Sequence, residues 1–387
     1  MGTACEIELK NTGMTRREAL QTVGVMAATV ATAGTATSVM AGDGAAKTTA
    51  AARPANRIEV NHEWGTLKEV VCGIPHLVFP ATVPKVFYNF MPAKGVAFFE
   101  KNRGKVLAEA EPELFKKQTA QMNAAADILK KRGVKVYRPN AVNDKVVLSY
   151  QENIFPPSIA QMYPRDPMLV IGRHFIETSL MWPMRRRERF GIRPVIAERL
   201  KHSNAQVVAM PPAFPAKADA EGVYGPGPFI EGGDVFLLGR DIYVGHSGNA
   251  TNLAGIQWLQ QYLGDPYRVQ KVPLSKKMLH LDCCLATPRP GLAIVCREGF
   301  KDGLPKFLSG WKLIDVSLED AHTKMATNGL VIDRKTIMIA SGLDDLAKAL
   351  RAVGQTVIET PFDEIYFYGG SFRCWHHPLV RESKLEA

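Results

Sequence analysis

The chain is poor in the features that would place it quickly. Aromatic residues make up only 8% of its 387 residues and charged residues 22%, and no stretch is apolar enough to read as a strong membrane span. Cysteine is scarce, with six residues at positions 5, 72, 283, 284, 296 and 374. They form no CxxC pair and show no His-rich metal spacing, which argues against a zinc site. Five of them follow residue 41, so at least one thiol stays free, and a bond between adjacent Cys283 and Cys284 would be strained. Acidic residues are outnumbered, 38 against 48 Lys and Arg, for a net charge of +10. The densest basic cluster, Met184-Arg-Arg-Arg-Glu-Arg-Phe190, is short and mixed. A small anionic partner, such as a substrate carboxylate, is the expectation from charge rather than nucleic acid.

With 46% hydrophobic residues the chain can build a sizeable core. Its start reads as an address. Thr15-Arg-Arg-Glu-Ala-Leu20 opens a weakly apolar Ala/Thr/Gly run ending in Val39-Met-Ala41, suited to signal-peptidase cleavage. Paired arginines before such a run resemble a twin-arginine export signal, although Ala19 stands where Phe is usual. Residues 1–41 are therefore expected to be an export signal to the periplasm, 42–55 a linker, and 56–387 one catalytic domain. The alternative is a cytoplasmic protein with an uncleaved tail.

A repeat organises the rest. A helix-like stretch followed by a short strand recurs at Glu113–Tyr137, Arg185–Ala209, Asn249–Gln270, Lys301–Ile314 and Leu343–Ile358. The helical stretches carry apolar residues at helical spacing and end on Gly or Asn. Candidate hairpins precede four of them, at 168–176, 235–243, 284–295 and 330–338. The remaining one is split between Leu67–Cys72 and Ser371–Pro378. Five ββαβ units, with both termini in one, predict an α/β fold: a five-bladed α/β propeller with pseudo-fivefold symmetry, a ring without free sheet edges.

Each hairpin opens on a polar cluster: Arg165-Asp166, Glu231-Gly-Gly-Asp234, His280-Leu-Asp282, Thr327-Asn328, and Gly369-Gly-Ser-Phe-Arg-Cys374. Arranged round an axis, these clusters would meet at one mouth. Alone, Cys374 would more often be core and His280 structural, and the Asp/Gly pairs are common turn chemistry. Their equivalent placement favours function. Asp282, two residues beyond His280, is expected on the same face of a strand.

These clusters resemble the guanidino-group modifying (pentein) superfamily of five-bladed propellers, in particular the amidinotransferases typified by arginine:glycine amidinotransferase. The resemblance covers nearly everything after about residue 56. It is carried by Tyr163-Pro-Arg-Asp166, Asn252–Trp258, Met278-Leu-His-Leu-Asp282 and Gly369–Trp375. It implies Cys374 as nucleophile, His280 as general acid–base and Glu231 as the acid orienting it. Asp166 and Asp282 would hold the guanidinium, with Asp234 beside the substrate. The chemistry fits those residue types: a planar cation suits paired carboxylates, and a thiolate is needed to attack its carbon. No metal, nucleotide or redox cofactor is required. The second substrate is an amine in a transferase, or water in a deiminase or dihydrolase. Glu231-Gly-Gly-Asp234 looks like the hydrolytic form, because amidinotransferases usually carry alanines between the acids and slimmer glycines would leave room for water. The serine pair that helps bind substrate in amidinotransferases falls near Ala321-His322 here. A periplasmic binding protein for arginine-like solutes is the competing class, and it would need no reactive Cys374. No nucleic acid and no membrane is expected as partner, and a homodimer is left open.

Overall fold

The computed structural model describes residues 57–382. The expected signal and linker lie outside the described residues.

Strand β1 (Thr66–Cys72) leads through β2 (Leu77–Val78) and helices α1 (Ala93–Lys101) and α2 (Pro112–Lys131) to β3 (Lys135–Tyr137). β3 lies parallel to β1, and β4 (Ile159–Ala160) pairs with β2. A unit then recurs. Hairpin β5 (Met168–Ile171) and β6 (His174–Glu177) is followed by α3 (Glu188–Leu200) and by β7 (Gln206–Ala209), parallel to β6. The second copy is β8 (Val235–Leu238), β9 (Asp241–His246), α4 (Leu253–Leu263) and β10 (Arg268–Pro273). The third is β11 (Leu285–Arg289), β12 (Leu292–Val295) and β13 (Lys312–Asp315). The fourth is β14 (Leu330–Asp333), β15 (Thr336–Ala340), α5 (Asp344–Ala352) and β16 (Thr356–Thr360). Strand β17 (His376–Glu382) returns antiparallel to β1, Thr66 opposite Glu382 and Cys72 opposite His376. Five three-stranded sheets of one pattern result.

Local chemistry explains the pattern. Hairpin turns fall at Gly172, Gly239 and Gly291, all at positive φ, where a β-carbon would be strained. Asn252 caps α4 by accepting from the N–H of Gly255 at 2.9 Å. Ile256, Leu259 and Leu263 form the buried face of that helix, whereas Leu253 in its first turn is exposed. Strand β12 is apolar and buried throughout, and β15 is buried throughout with Thr336 its one polar residue.

One expected helix is absent. Residues 301–310 contain only a 3₁₀ turn, Lys306–Leu308. Gly303 at φ +81° and Pro305 interrupt the run before an α-helical turn can close.

Candidate active site

The five polar clusters do not lie in strands. Three of them enter their strands through single helical turns: Gly232–Asp234 before β8, Leu281–Cys283 before β11 and Phe372–Trp375 before β17. This corrects the strand geometry expected for His280 and Asp282. The intervening turn sends their side chains to different partners.

Hydrogen bonds link the clusters in a closed circuit. Gly233 N donates to Asp166 Oδ1 (2.8 Å). His280 Nε2 meets Glu231 Oε2 (2.9 Å), and Leu281 N donates to Asp234 Oδ1 (3.0 Å). Thr327 Oγ1 donates to the Asp282 carbonyl (3.0 Å). Asn328 Oδ1 accepts from Ser371 N, Arg373 N and Cys374 N at 3.0–3.1 Å. Arg165 N closes the circuit on the Cys374 carbonyl (3.2 Å).

Beside this circuit opens a cavity, and Asp166, His280, Arg185 and Cys374, with the phenols of Tyr163 and Tyr368, are the polar part of its lining. Glu231, Asp234 and Asp282 are fully buried and outside that lining. The sequence-predicted residues are thus brought together in two rows. In front stand Cys374, His280 and Asp166. Behind them Glu231 holds His280, and Asp282 Oδ2 accepts from the Cys374 thiol at 3.5 Å. Asn328 Nδ2 also donates to Cys374 Sγ, at 3.3 Å. Asp234, expected beside substrate, is placed behind this row, where its Oδ1 accepts from the Leu281 N–H and braces that turn.

Burial opposes charging of His280, but Asp166, Glu231 and Asp234 overcome it and raise its pKa to about 10. The Cys374 thiol is pushed well above its ordinary value by burial, and by the carboxylates of Asp282 and Asp166. Burial lifts Asp234 to about 7 against the pull of His280. The resting site therefore pairs a thiol with an imidazolium.

Sequence reasoning missed the arginines. Arg185 donates to Asp166 Oδ2 (2.7 Å) and grips Glu188 through two nitrogens (2.6 and 3.0 Å). Arg373 donates to Asp282 Oδ2 (3.0 Å) and to Glu63 Oε2 (3.3 Å). Both carboxylates expected to hold a substrate guanidinium are thus already paired with the chain's own. The basic run at 185–187 is interior: Arg186 and Arg187 donate to backbone carbonyls of residues 150–158 and 180–181. Those three arginines offer no phosphate-binding face. The one available signal was that a mixed basic run follows Trp182-Pro183 beside an expected site cluster.

Among the described residues one trio, Asp166, Glu231 and His280, has ligand atoms close enough for a metal ion, within 4.8 Å of one another. Arg185 lies 2.7 Å from Asp166 and 3.5 Å from Glu231, so a side chain already supplies the positive charge there.

The two glycines of Glu231-Gly-Gly-Asp234 are required by contact. A β-carbon on Gly232 would fall 2.0 Å from the Arg165 carbonyl oxygen, and one on Gly233 would fall 2.5 Å from His280 Nδ1. The space that slimmer residues were expected to leave for water is filled by the imidazole.

Residues 96–381 match the family described as N,N dimethylarginine dimethylhydrolase, eukaryotic. The chain belongs to this family. It is also similar to the L-arginine:L-lysine amidinotransferase of Pseudomonas savastanoi pv. phaseolicola, 27% identical over 354 residues covering 84% of this chain and 94% of the relative. Mitochondrial glycine amidinotransferase of Xenopus tropicalis is 24% identical over 364 residues, 84% of this chain and 83% of the relative. Among solved structures, the amidinotransferase SxtG of the saxitoxin pathway in Microseira wollei superposes with a TM-score of 0.72 at 24% identity, over 85% of this chain and 99% of that one. The inosamine-phosphate amidinotransferase of Streptomyces griseus gives 0.70 at 22%, over 85% and 98%. The dimethylarginine hydrolase of Pseudomonas aeruginosa gives 0.56 at 16%, over 81% and 99%. The mixed α/β fold of this dimethylarginine hydrolase family member is therefore shared with both enzyme types.

Proposed function

We propose that the chain is an amidinotransferase, moving the amidino group of arginine or a related guanidine to an amine through a covalent amidino-cysteine. The observation that carries this reading is the shared cavity of Cys374, His280 and Asp166, backed by Glu231 and Asp282. The donor's guanidinium enters beside Asp166, and its positive charge releases the Cys374 proton to solvent, opposing the burial that keeps the thiol protonated. The thiolate attacks the guanidino carbon. His280, protonated and held by Glu231, gives its proton to the departing amine as the C–N bond breaks. The amidino group is left on Sγ and the imidazole is neutral. In the second half the neutral imidazole takes a proton from the incoming amine. Collapse of the adduct then returns thiolate and imidazolium.

Water is the competing acceptor, as in the hydrolases of the family. Two observations favour the amine: the imidazole occupies the space over Gly233, and the cavity above the polar trio is walled by apolar side chains. A site that must hold an adduct until an amine arrives has to exclude water. The test is partition on purified protein. Arginine plus an amine is expected to yield ornithine in step with a new guanidine, and acid quench to leave an amidino mass on a Cys374 peptide. Cys374→Ser abolishes both. Citrulline and ammonia forming equally well without any amine would overturn transfer in favour of hydrolysis.

Two further readings belong with this one. The five like sheets and the closed circuit of cluster contacts support a five-bladed ring about the cavity. The Arg16-Arg17 pair supports export, with a mature form beginning near Gly42. Amino-terminal sequencing of native protein that reads Met1 would overturn export, and replacing both arginines by lysine is expected to retain the protein inside the cell.

A further inference from the structure

Asn328, two residues before β14, is buried. Three backbone N–H groups, those of Ser371, Arg373 and Cys374, converge on one end of its carboxamide at 3.0–3.1 Å. That end must be the oxygen, because an amide nitrogen has only hydrogens to offer them. The other end is thereby fixed as NH2. Its Nδ2 reaches the Asp282 carbonyl and Cys374 Sγ, each at 3.3 Å. Both amide hydrogens are thus used, and one of them points at sulfur. Arg373 N also meets the Asn328 carbonyl at 3.0 Å, so the turn Phe372–Trp375 is gripped by this residue at several points. Sγ meets Asp282 Oδ2 as well, which is itself held by Arg373 Nη1 at 3.0 Å. The sulfur therefore sits between one carboxylate and one amide donor.

The two neighbours respond oppositely when the thiol loses its proton. The thiol donates to Asp282, but a thiolate faces that carboxylate as like charge. The N–H of Asn328 gains from the same change, since a bond to an anionic acceptor is shorter and stronger than one to a neutral acceptor. Burial, Asp282, Cys283 and Asp166 raise the pKa of the Cys374 thiol, and the bond from Asn328 lowers it. A thioether sulfur is a weak acceptor again. The Nδ2 bond is thus strongest when Sγ carries charge. That occurs as the thiolate attacks the guanidino carbon, and again as the C–S bond of the adduct breaks and its electron pair returns to sulfur. An interaction confined to those moments lowers barriers and does not merely tighten binding. We infer that Asn328 is a catalytic residue, the donor that stabilises negative charge on Cys374 Sγ in both half-reactions. This role rests on Cys374 being the nucleophile, as proposed above, and is the same whether an amine or water accepts the amidino group.

Alkylation of Cys374 by iodoacetamide reads the thiolate without any guanidine. The full chain is compared with Asn328→Leu and Asn328→Asp from about pH 7 to 9, by the mass of the Cys374 peptide. Leu removes both the donor and the grip on the turn. Asp keeps an oxygen for the three N–H groups and removes only the donor, at the cost of an added charge. Both variants are expected to react more slowly by about tenfold or more, the scale of a lost hydrogen bond to a charged group. Their rates should still climb in proportion to hydroxide. A loosened turn gives the opposite sign, because it exposes a buried sulfur to water and reagent and speeds alkylation. With arginine and an amine, kcat of Asn328→Leu is expected to fall by the same factor with KM little changed. Asn328→Leu alkylated as fast as the unaltered chain overturns the inference, and so does slow alkylation with an unchanged kcat. If Asn328→Leu fails to fold, Asn328→Asp decides, and an unaltered rate there overturns it equally. An unaltered protein that forms no amidino adduct overturns amidino transfer, while the alkylation rates still decide what Asn328 does for the thiolate.

Discussion

At the residue scale the site works by mismatched protonation. A thiol pushed well above its usual value and an imidazolium with a pKa of about 10 must become thiolate and imidazolium together. When the acid form must come from the group of lower pKa, activity climbs with pH and breaks at that lower value. We therefore expect kcat/KM to rise through the neutral range and level near pH 10. In Glu231→Gln a negative charge and a charge-assisted bond are lost, so the His280 pKa falls and the break moves to lower pH. A profile that is flat from pH 6 to 9 in both proteins would contradict this assignment. Stability follows the same sign. The folded chain holds the His280 proton between pH 6.5 and about 10 where the unfolded chain does not. The stabilisation from the charged ring is complete below 6.5 and is lost as pH rises through 10.

At the element scale the short turns set the angles of the reacting groups. The turn Gly232–Asp234 lies flat beneath the imidazole because neither glycine carries a side chain. Gly233→Ala puts a methyl 2.5 Å from His280 Nδ1. Displacing the ring by about an ångström is expected to cost on the order of 100-fold in kcat, with thermal stability lowered only modestly. Full activity in that variant would mean the ring does not rest where the structure places it. The turns were also where sequence reading succeeded least. Glu231, His280 and Cys374 were legible because each stands at an equivalent point in a repeating unit. The helical turns around them were not, since three residues carry no periodicity. Arg185, Arg186, Arg187 and Arg373 were illegible for another reason: charge patterning assumes that arginine is exposed, and these are buried against carbonyls and carboxylates. The expected helix at 301–310 failed because Gly303 and Pro305 outweigh the apolar residues around them.

At the scale of the whole molecule, β17 completes the sheet begun by β1, and Cys374 sits on the turn that leads into it. Cys374 is thus positioned by closure of the chain on itself as much as by its local sequence. Near the same sheet Glu59 N donates to the Leu379 carbonyl at 3.1 Å, and Arg381 N donates to the Glu59 carbonyl at 2.9 Å. The two ends of the described chain therefore lie side by side, and a short linker can join residue 382 to residue 57. The loop holding Gly303 is exposed, and nothing lies within 4 Å of where a β-carbon would stand on that glycine. A chain permuted to begin at Leu304 and end at Gly303 keeps every strand pairing and every site residue. It is expected to retain amidino transfer within about threefold, because exposed loop tips are where permutation is tolerated. A chain stopped before His376 contains Cys374, His280 and all four acids, yet lacks the strand that follows the cysteine's turn. It is expected to show no cooperative unfolding transition and no amidino adduct. An adduct at normal rate in the stopped chain would show that the cysteine needs only its turn and that closure of the β17 sheet is dispensable.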